Sequence, residues 1–208
     1  MRPRNLWDGI ASSYDKKFGP EYECIIERIT NELRPEDEVL EVACGTGLVS
    51  FAAAERCHSI LGIDFSERMI EVAREKQVKA KVDNIEFATG DAMDLSRFRA
   101  RFDAVLLCNM LHVVVDPARA LEEAARSLKP DGRVLIATYC HGEKLKPRAA
   151  VFSLGMRFLH MLGRIPSMHR FSYAQTIGLV TGAGLRIMKA QLVTGKGFPC
   201  AFIVAQAS

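Results

Sequence analysis

A strand-like apolar run that breaks at two glycines constrains this chain more than any other feature. In Val39-Leu40-Glu41-Val42-Ala43-Cys44-Gly45-Thr46-Gly47-Leu48 the run stops at Gly45-Thr46-Gly47 and an amphipathic stretch follows. Glycines at such a junction permit a tight turn and let the backbone come close to a ligand. Strand, glycine turn and helix in that order open a parallel βαβ unit. Because a single Gly-x-Gly occurs in many loops, the surrounding pattern has to decide.

That pattern agrees. Short apolar runs at 38–43, 59–65, 85–89, 102–108 and 133–139 alternate with helical stretches at 47–57 and 66–77. A further helix is expected from an Asp116 N-cap with Pro117 at its first position, since Leu121, Ala124, Ala125 and Leu128 recur at helical spacing. Lys129-Pro130-Asp131-Gly132 then reads as a turn. Near the end, Ser172-x-x-Gln175 forms a capping box and Gly182-Ala183-Gly184 a stop. Two apolar runs, 185–193 and 199–205, flank a Gly195-Lys196-Gly197 turn and predict an antiparallel hairpin. The expected architecture is α/β: a Rossmann-like, doubly wound, seven-stranded sheet. It is mostly parallel, with an antiparallel C-terminal hairpin strand and helices on both faces. One domain of 208 residues follows, divided into an N-terminal helical cap (1–35), a core (36–140), a helical insertion (141–171) and a last helix with the hairpin (172–208).

Candidate binding residues fall at the strand ends. Asp64 closes the second strand 19 residues after Gly45, where a carboxylate can accept bonds from ribose hydroxyls. Asp91 follows the third strand and can reach an adenine amino group; Cys108 and Asn109 leave the fourth at the expected switch point. Both aspartates equally suit helix caps. The third glycine of a dinucleotide fingerprint is missing, with Ser50 in its place, and Glu41 lies four residues before the glycines. A pyrophosphate prefers bare N–H groups to a nearby carboxylate, whereas a ligand carrying positive charge has the opposite preference.

These motifs together resemble the class I S-adenosylmethionine-dependent methyltransferase family, in its small-molecule branch. LEVACGTG, GIDFSERMIEVAREK, ATGDAMDL, FDAVLLCNMLHVVVDP and LKPDGRVLIATY are similar to successive family motifs, and WDGIASSYD to the segment ahead of them. FSERMIEVAR resembles the quinone-biosynthesis methyltransferases. The likeness covers 6–139 and, more loosely, 171 onward; 141–170 matches nothing assignable. It implies that Ala43, Gly45 and Gly47 line the methionine part of S-adenosylmethionine, with Glu41 organising that loop. It further implies Asp64 on the ribose and Phe65 and Met69 against ribose and adenine. Asp91 would take the adenine amino group with Ala92 or Met93 beside it, Cys108 and Asn109 would lie beneath the methionine, and Tyr14 would close the site.

Composition bounds the rest. A net charge of +3 is too mild for a dedicated nucleic-acid binder, although 141–172 holds six basic residues and one acid. No apolar run is long enough to span a bilayer, and no secretory leader is legible, so a cytoplasmic protein is expected. The six cysteines show no metal spacing and no metal is expected; Cys44 and Cys108 read as small buried residues. His112 and His141 are candidate general bases, against a purely structural reading of each. The basic insertion points weakly to an amphipathic or anionic small-molecule acceptor. Two rivals stay open: a non-catalytic S-adenosylmethionine binder and an NAD-dependent oxidoreductase.

Overall fold

The structure is a computed structural model that describes residues 3–17, 20–143, 168–194 and 199–207. The expected helical insertion therefore lies largely outside the described residues, as does the Gly195–Gly197 turn. Seven strands form one sheet: β1 (Glu38–Val42), β2 (Ser59–Asp64), β3 (Ile85–Thr89), β4 (Phe102–Cys108), β5 (Leu128–Tyr139), β6 (Leu185–Val193) and β7 (Cys200–Ala207). Among the described residues six α-helices accompany them: α1 (Pro3–Ile10), α2 (Pro20–Thr30), α3 (Leu48–Ala54), α4 (Glu67–Ala80), α5 (Pro117–Ser127) and α6 (Tyr173–Gly182). Among the described residues no helix is long and apolar enough to cross a membrane.

The order in the sheet is β3-β2-β1-β4-β5-β7-β6. β1 pairs in parallel with both β2 and β4. The chain leaves β1 towards one side and returns through β4 on the other, so the loops at their carboxyl ends diverge and open a crevice. Strands buried on both faces need continuous apolar sequence, and β1, β2 and β4 are buried along nearly their whole length.

Alternation along the strands splits the core. Leu40, Val42, Ile63, Leu107 and Ile136 face α5 and α6 through Leu121, Ala124 and Val180. Val39, Ile60, Leu106 and Leu135 face α2, α3 and α4 through Ile25, Ile29, Val49, Ala53, Ile70 and Ala73. The helix starts follow the expected chemistry. Ser66 caps α4 by accepting from the Met69 N–H at 3.1 Å, and Asp116 caps α5 by accepting from the Arg119 N–H at 3.0 Å. Both halves of the Ser172/Gln175 box are made.

One element differs from expectation. The Lys129–Gly132 turn is absorbed into β5, which already starts at Leu128. A register shift between Phe102 and Ala104 and a left-handed Asp131 (φ 64°) take up the irregularity. The expected hairpin is present, with β7 inserted between β5 and β6 and antiparallel to both. Composition accounts for this placement: Cys200–Ala205 are buried, whereas β6 carries Arg186 and Lys189 on a largely exposed edge.

A buried ion pair ties the middle of β5 to the turn before β1. Arg133 Nη2 lies 2.5 Å from Asp37 Oδ2 and also donates to the Glu32 carbonyl at 2.7 Å. The Arg34 N–H adds a further bond to Asp37 at 2.7 Å. Both side chains are at most 8% exposed, so neither charge is solvated if the other is removed. Arg133→Met is therefore expected to lower the unfolding free energy in urea by about 3–5 kcal/mol. Arg186→Met, at an exposed edge position, should stay within about 0.5 kcal/mol of the parent.

Candidate functional site

The loop after β1 takes left-handed conformations at Ala43 (φ 58°), Gly45 (φ 57°) and Gly47 (φ 82°). Gly47 is obligatory for space as well as for φ, because a Cβ there would come within 2.6 Å of the Phe87 ring. The Gly45 N–H donates to Asp64 Oδ2 at 2.9 Å, and the Ser66 N–H donates to Asp64 Oδ1 at 2.9 Å. One buried carboxylate at the end of β2 thus fixes the glycine turn and the start of α4. Behind the loop Glu41 is 2% exposed and accepts a bond from the Ser50 hydroxyl. The serine that stands in the place of a third glycine is the partner this carboxyl requires.

Above the loop and the ends of β2, β3 and β4 lies a cavity of about 330 Å³, within the range of small-ligand sites. Ala43, Gly45 and Asp64 form its floor; Phe65, Met69, Gly90, Ala92 and Met93 form one side; Cys108, Asn109, Met110 and Val113–Val115 form the other. Trp7 and Tyr14 cover it from the N-terminal segment. Asn109 is left-handed (φ 53°), anchored by its N–H to the Ala137 carbonyl at 2.7 Å. Its side-chain Nδ2 and Oδ1 are buried and have no protein partner.

Ten of the residues singled out from sequence share this cavity: Tyr14, Ala43, Gly45, Asp64, Phe65, Met69, Ala92, Met93, Cys108 and Asn109. Glu41 and Gly47 support its floor from behind. Asp91 is exposed, accepts from the Met93 N–H at 2.9 Å, and lines a neighbouring cleft with Asp94 and Arg97 that shares Gly90 with the cavity. His112 and His141 are not among the lining residues. They are buried with their rings 5.3 Å apart, and His112 lies 3.4 Å from the Thr138 hydroxyl. Burial, reinforced by the neighbouring His141, lowers His112 to about 3; burial and Arg170 lower His141 to about 4. Both imidazoles are thus neutral at pH 7 and weak bases.

Trp7, Met110 and Val113–Val115 were missed by sequence reasoning. A β-branched triplet between a strand end and a Pro-capped helix carries no periodic signal, although its position after β4 was available. Among the described residues no His, Cys, Asp or Glu cluster has the makings of a metal site.

Electrostatics set the site's preference. Burial raises Asp64, with the Ser66 and Gly45 N–H bonds opposing the shift. Burial pushes Glu41 up to about 8, with the Ser50 hydroxyl opposing and the Asp64 charge adding. Tyr14 is raised by burial and by the same two carboxylates. Folded Glu41 keeps its proton to about pH 8, whereas an unfolded chain loses it near 4.5. The folded state binds more protons in that window, so this residue's contribution to stability is lost as pH rises from about 4.5 to 8. Glu41→Gln still offers Ser50 an acceptor. It should match the parent in urea unfolding at pH 4.5 and exceed it at pH 9 by on the order of 2–4 kcal/mol. Parallel pH profiles for the two proteins would show that the carboxyl is already ionised throughout.

Comparison with known proteins matches residues 40–136 to the family described as "Methyltransferase domain". Demethylmenaquinone methyltransferase of Clavibacter sepedonicus is 40% identical over 103 residues, which are 50% of this chain and 41% of the relative. The enzyme of the same name from Lactococcus lactis is 37% identical over 154 residues, 67% of this chain and 59% of the relative. The chain spans about half the length of the curated relatives it matches. Among solved structures, a SAM dependent methyltransferase from Aquifex aeolicus superposes with a TM-score of 0.70 at 22% identity. That match covers 94% of this chain and 97% of the other, and it is a likeness of fold.

Proposed function

We propose that this chain, whose residues 40–136 match the methyltransferase-domain family, transfers a methyl group from S-adenosylmethionine to a small, largely apolar acceptor. The observation that carries the reading is a cavity at the β1/β4 switch point, floored by a glycine turn and the buried Asp64, with the buried Glu41 behind that turn, both carboxyls raised by burial. Carboxyls in that condition favour a ligand that brings positive charge. Bound S-adenosylmethionine supplies it, together with a methyl group on a sulfonium that is open to displacement.

The residues present suit that molecule. Two oxygens of Asp64 already accept backbone N–H bonds, yet a carboxylate has about four lone-pair sites and keeps capacity for two ribose hydroxyls. Phe65, Met69 and Met93 offer apolar surface to a base. The unpartnered Asn109 amide offers one donor group and one acceptor. An apolar wall of Met110 and Val113–Val115 leaves space for an acceptor beside it. That wall, and relatives named for demethylmenaquinone, support an acceptor with an extended apolar body.

Catalysis in this reading is chiefly positioning. Holding the acceptor atom in line with the methyl carbon, in a site closed to water, can lower the barrier by roughly 7–11 kcal/mol. The methyl group passes to the acceptor, S-adenosylhomocysteine leaves, and any displaced acceptor proton goes to solvent. The two buried histidines are not called upon.

Calorimetry tests the cofactor. S-adenosylhomocysteine is expected to bind with a roughly micromolar Kd and NAD not to bind; the reverse order would defeat the proposal. Asp64→Asn should weaken binding by about 1–3 kcal/mol. At pH 7, S-adenosylmethionine should release protons as Glu41 behind the glycine turn ionises, giving a binding enthalpy that changes with the buffer's own ionisation enthalpy. Turnover of labelled methyl donor on a panel of apolar phenols, quinols and acids separates an enzyme from a binder, for which no acceptor would become labelled.

A further inference from the structure

The N-terminal segment reaches the site through two polar clasps. The Ser66 hydroxyl donates to Asp8 Oδ1 at 2.5 Å. The second clasp joins three separate parts of the chain. Lys76 Nζ, on α4, sits 2.9 Å from Asp15 Oδ2 and 2.9 Å from the Thr46 carbonyl, and the Thr46 hydroxyl donates to the other Asp15 oxygen. The ammonium also lies 5.1 Å from the centroid of the Phe51 ring on α3. Asp15 directly follows Tyr14, whose ring lies so close over the glycine turn that a Cβ on Gly45 would meet it at 3.4 Å. Trp7 packs edge-on against Tyr14 with ring centroids 6.3 Å apart.

We propose that Lys76 is a positioning residue: by joining Asp15 to the Thr46 carbonyl it holds Tyr14 and Trp7 down as a cover over the cavity, and the clasp must part for a ligand to enter or leave. The inference rests on the cofactor reading for its ligand but not for its geometry. Thr46 belongs to the turn that floors the cavity, and Asp15 to the segment that roofs it. One ammonium thus spans floor and roof at their shared edge. Its side chain is 29% exposed and that of Asp15 39%, so the bond is weak enough to exchange with water. A buried pair in this place would hold the cover permanently.

Trp7 is the chain's single tryptophan and sits in the cover, so it reports the cover's position with or without ligand. Lys76→Met keeps an apolar stem over Phe51 and removes the charge; Asp15→Asn breaks the clasp from the other side, outside the sheet. In the ligand-free protein both are expected to raise the acrylamide quenching constant of Trp7 by about two- to fivefold. Both should also speed S-adenosylhomocysteine dissociation by a similar factor, with the urea midpoint of the sheet unchanged. Lys76→Arg should restore both readouts towards the parent, and salt should accelerate dissociation in the parent more than in Lys76→Met. Parental quenching in both Lys76→Met and Asp15→Asn would overturn the proposal. If the parent itself binds no S-adenosylhomocysteine, the cofactor reading falls, and the Trp7 quenching alone still decides whether the clasp holds the cover.

Discussion

The Asp64 carboxylate is the point on which the site depends. By accepting the Gly45 and Ser66 N–H groups it joins the turn after β1 to the start of α4, while its own carbonyl accepts the Gly90 N–H at 3.0 Å and so reaches the loop after β3. Three loops from adjacent parallel strands are registered against one residue. Burial makes the arrangement costly for a bare carboxylate, and the backbone N–H bonds offset part of that cost. A ligand that adds positive charge or hydroxyl donors relieves the remainder, so structural support and recognition share the same two oxygens.

Much of this was legible beforehand because it depends on short-range chemistry. Gly45 and Gly47 are required by positive φ, Asp64 by its place at a strand end, and Ser66, Asp116 and Ser172 by helix capping, each visible in a few consecutive residues. Features that depend on tertiary arrangement were not. The order β5-β7-β6 follows from the relative burial of two strands, which a hairpin signal does not specify. Trp7 reaches the cavity because α1 packs against α4, and Val113–Val115 because the chain turns after β4. His112 and His141 look like bases in a sequence, yet the fold turns them towards Thr138, Tyr139 and each other.

The same distinction applies to Asp91. Its position after β3 was read correctly, but its carboxylate bonds the Met93 N–H and stands exposed at the rim rather than in the cavity wall. Glu41 illustrates the converse. Its place behind the loop was legible, but its bond to Ser50 could not be read from the glycine motif, because Ser50 is an apparent defect in that motif. Only with both residues on facing elements does the substitution make sense: a buried carboxyl needs a donor, and a third glycine has no side chain to offer one.

The placement of β7 has a consequence for how the protein comes into being. On the ribosome β6 emerges before β7, yet among the described residues β6 has no strand partner except β7. Until the later strand arrives, the nascent chain holds an open β5 edge and an unattached β6, with Phe202, Ile203 and Val204 still to be buried. At about 5–20 residues per second that interval lasts on the order of a second. For that time two unpaired edges are available to chaperones or to neighbouring polypeptides, so the yield of native protein depends on how soon β7 follows β6.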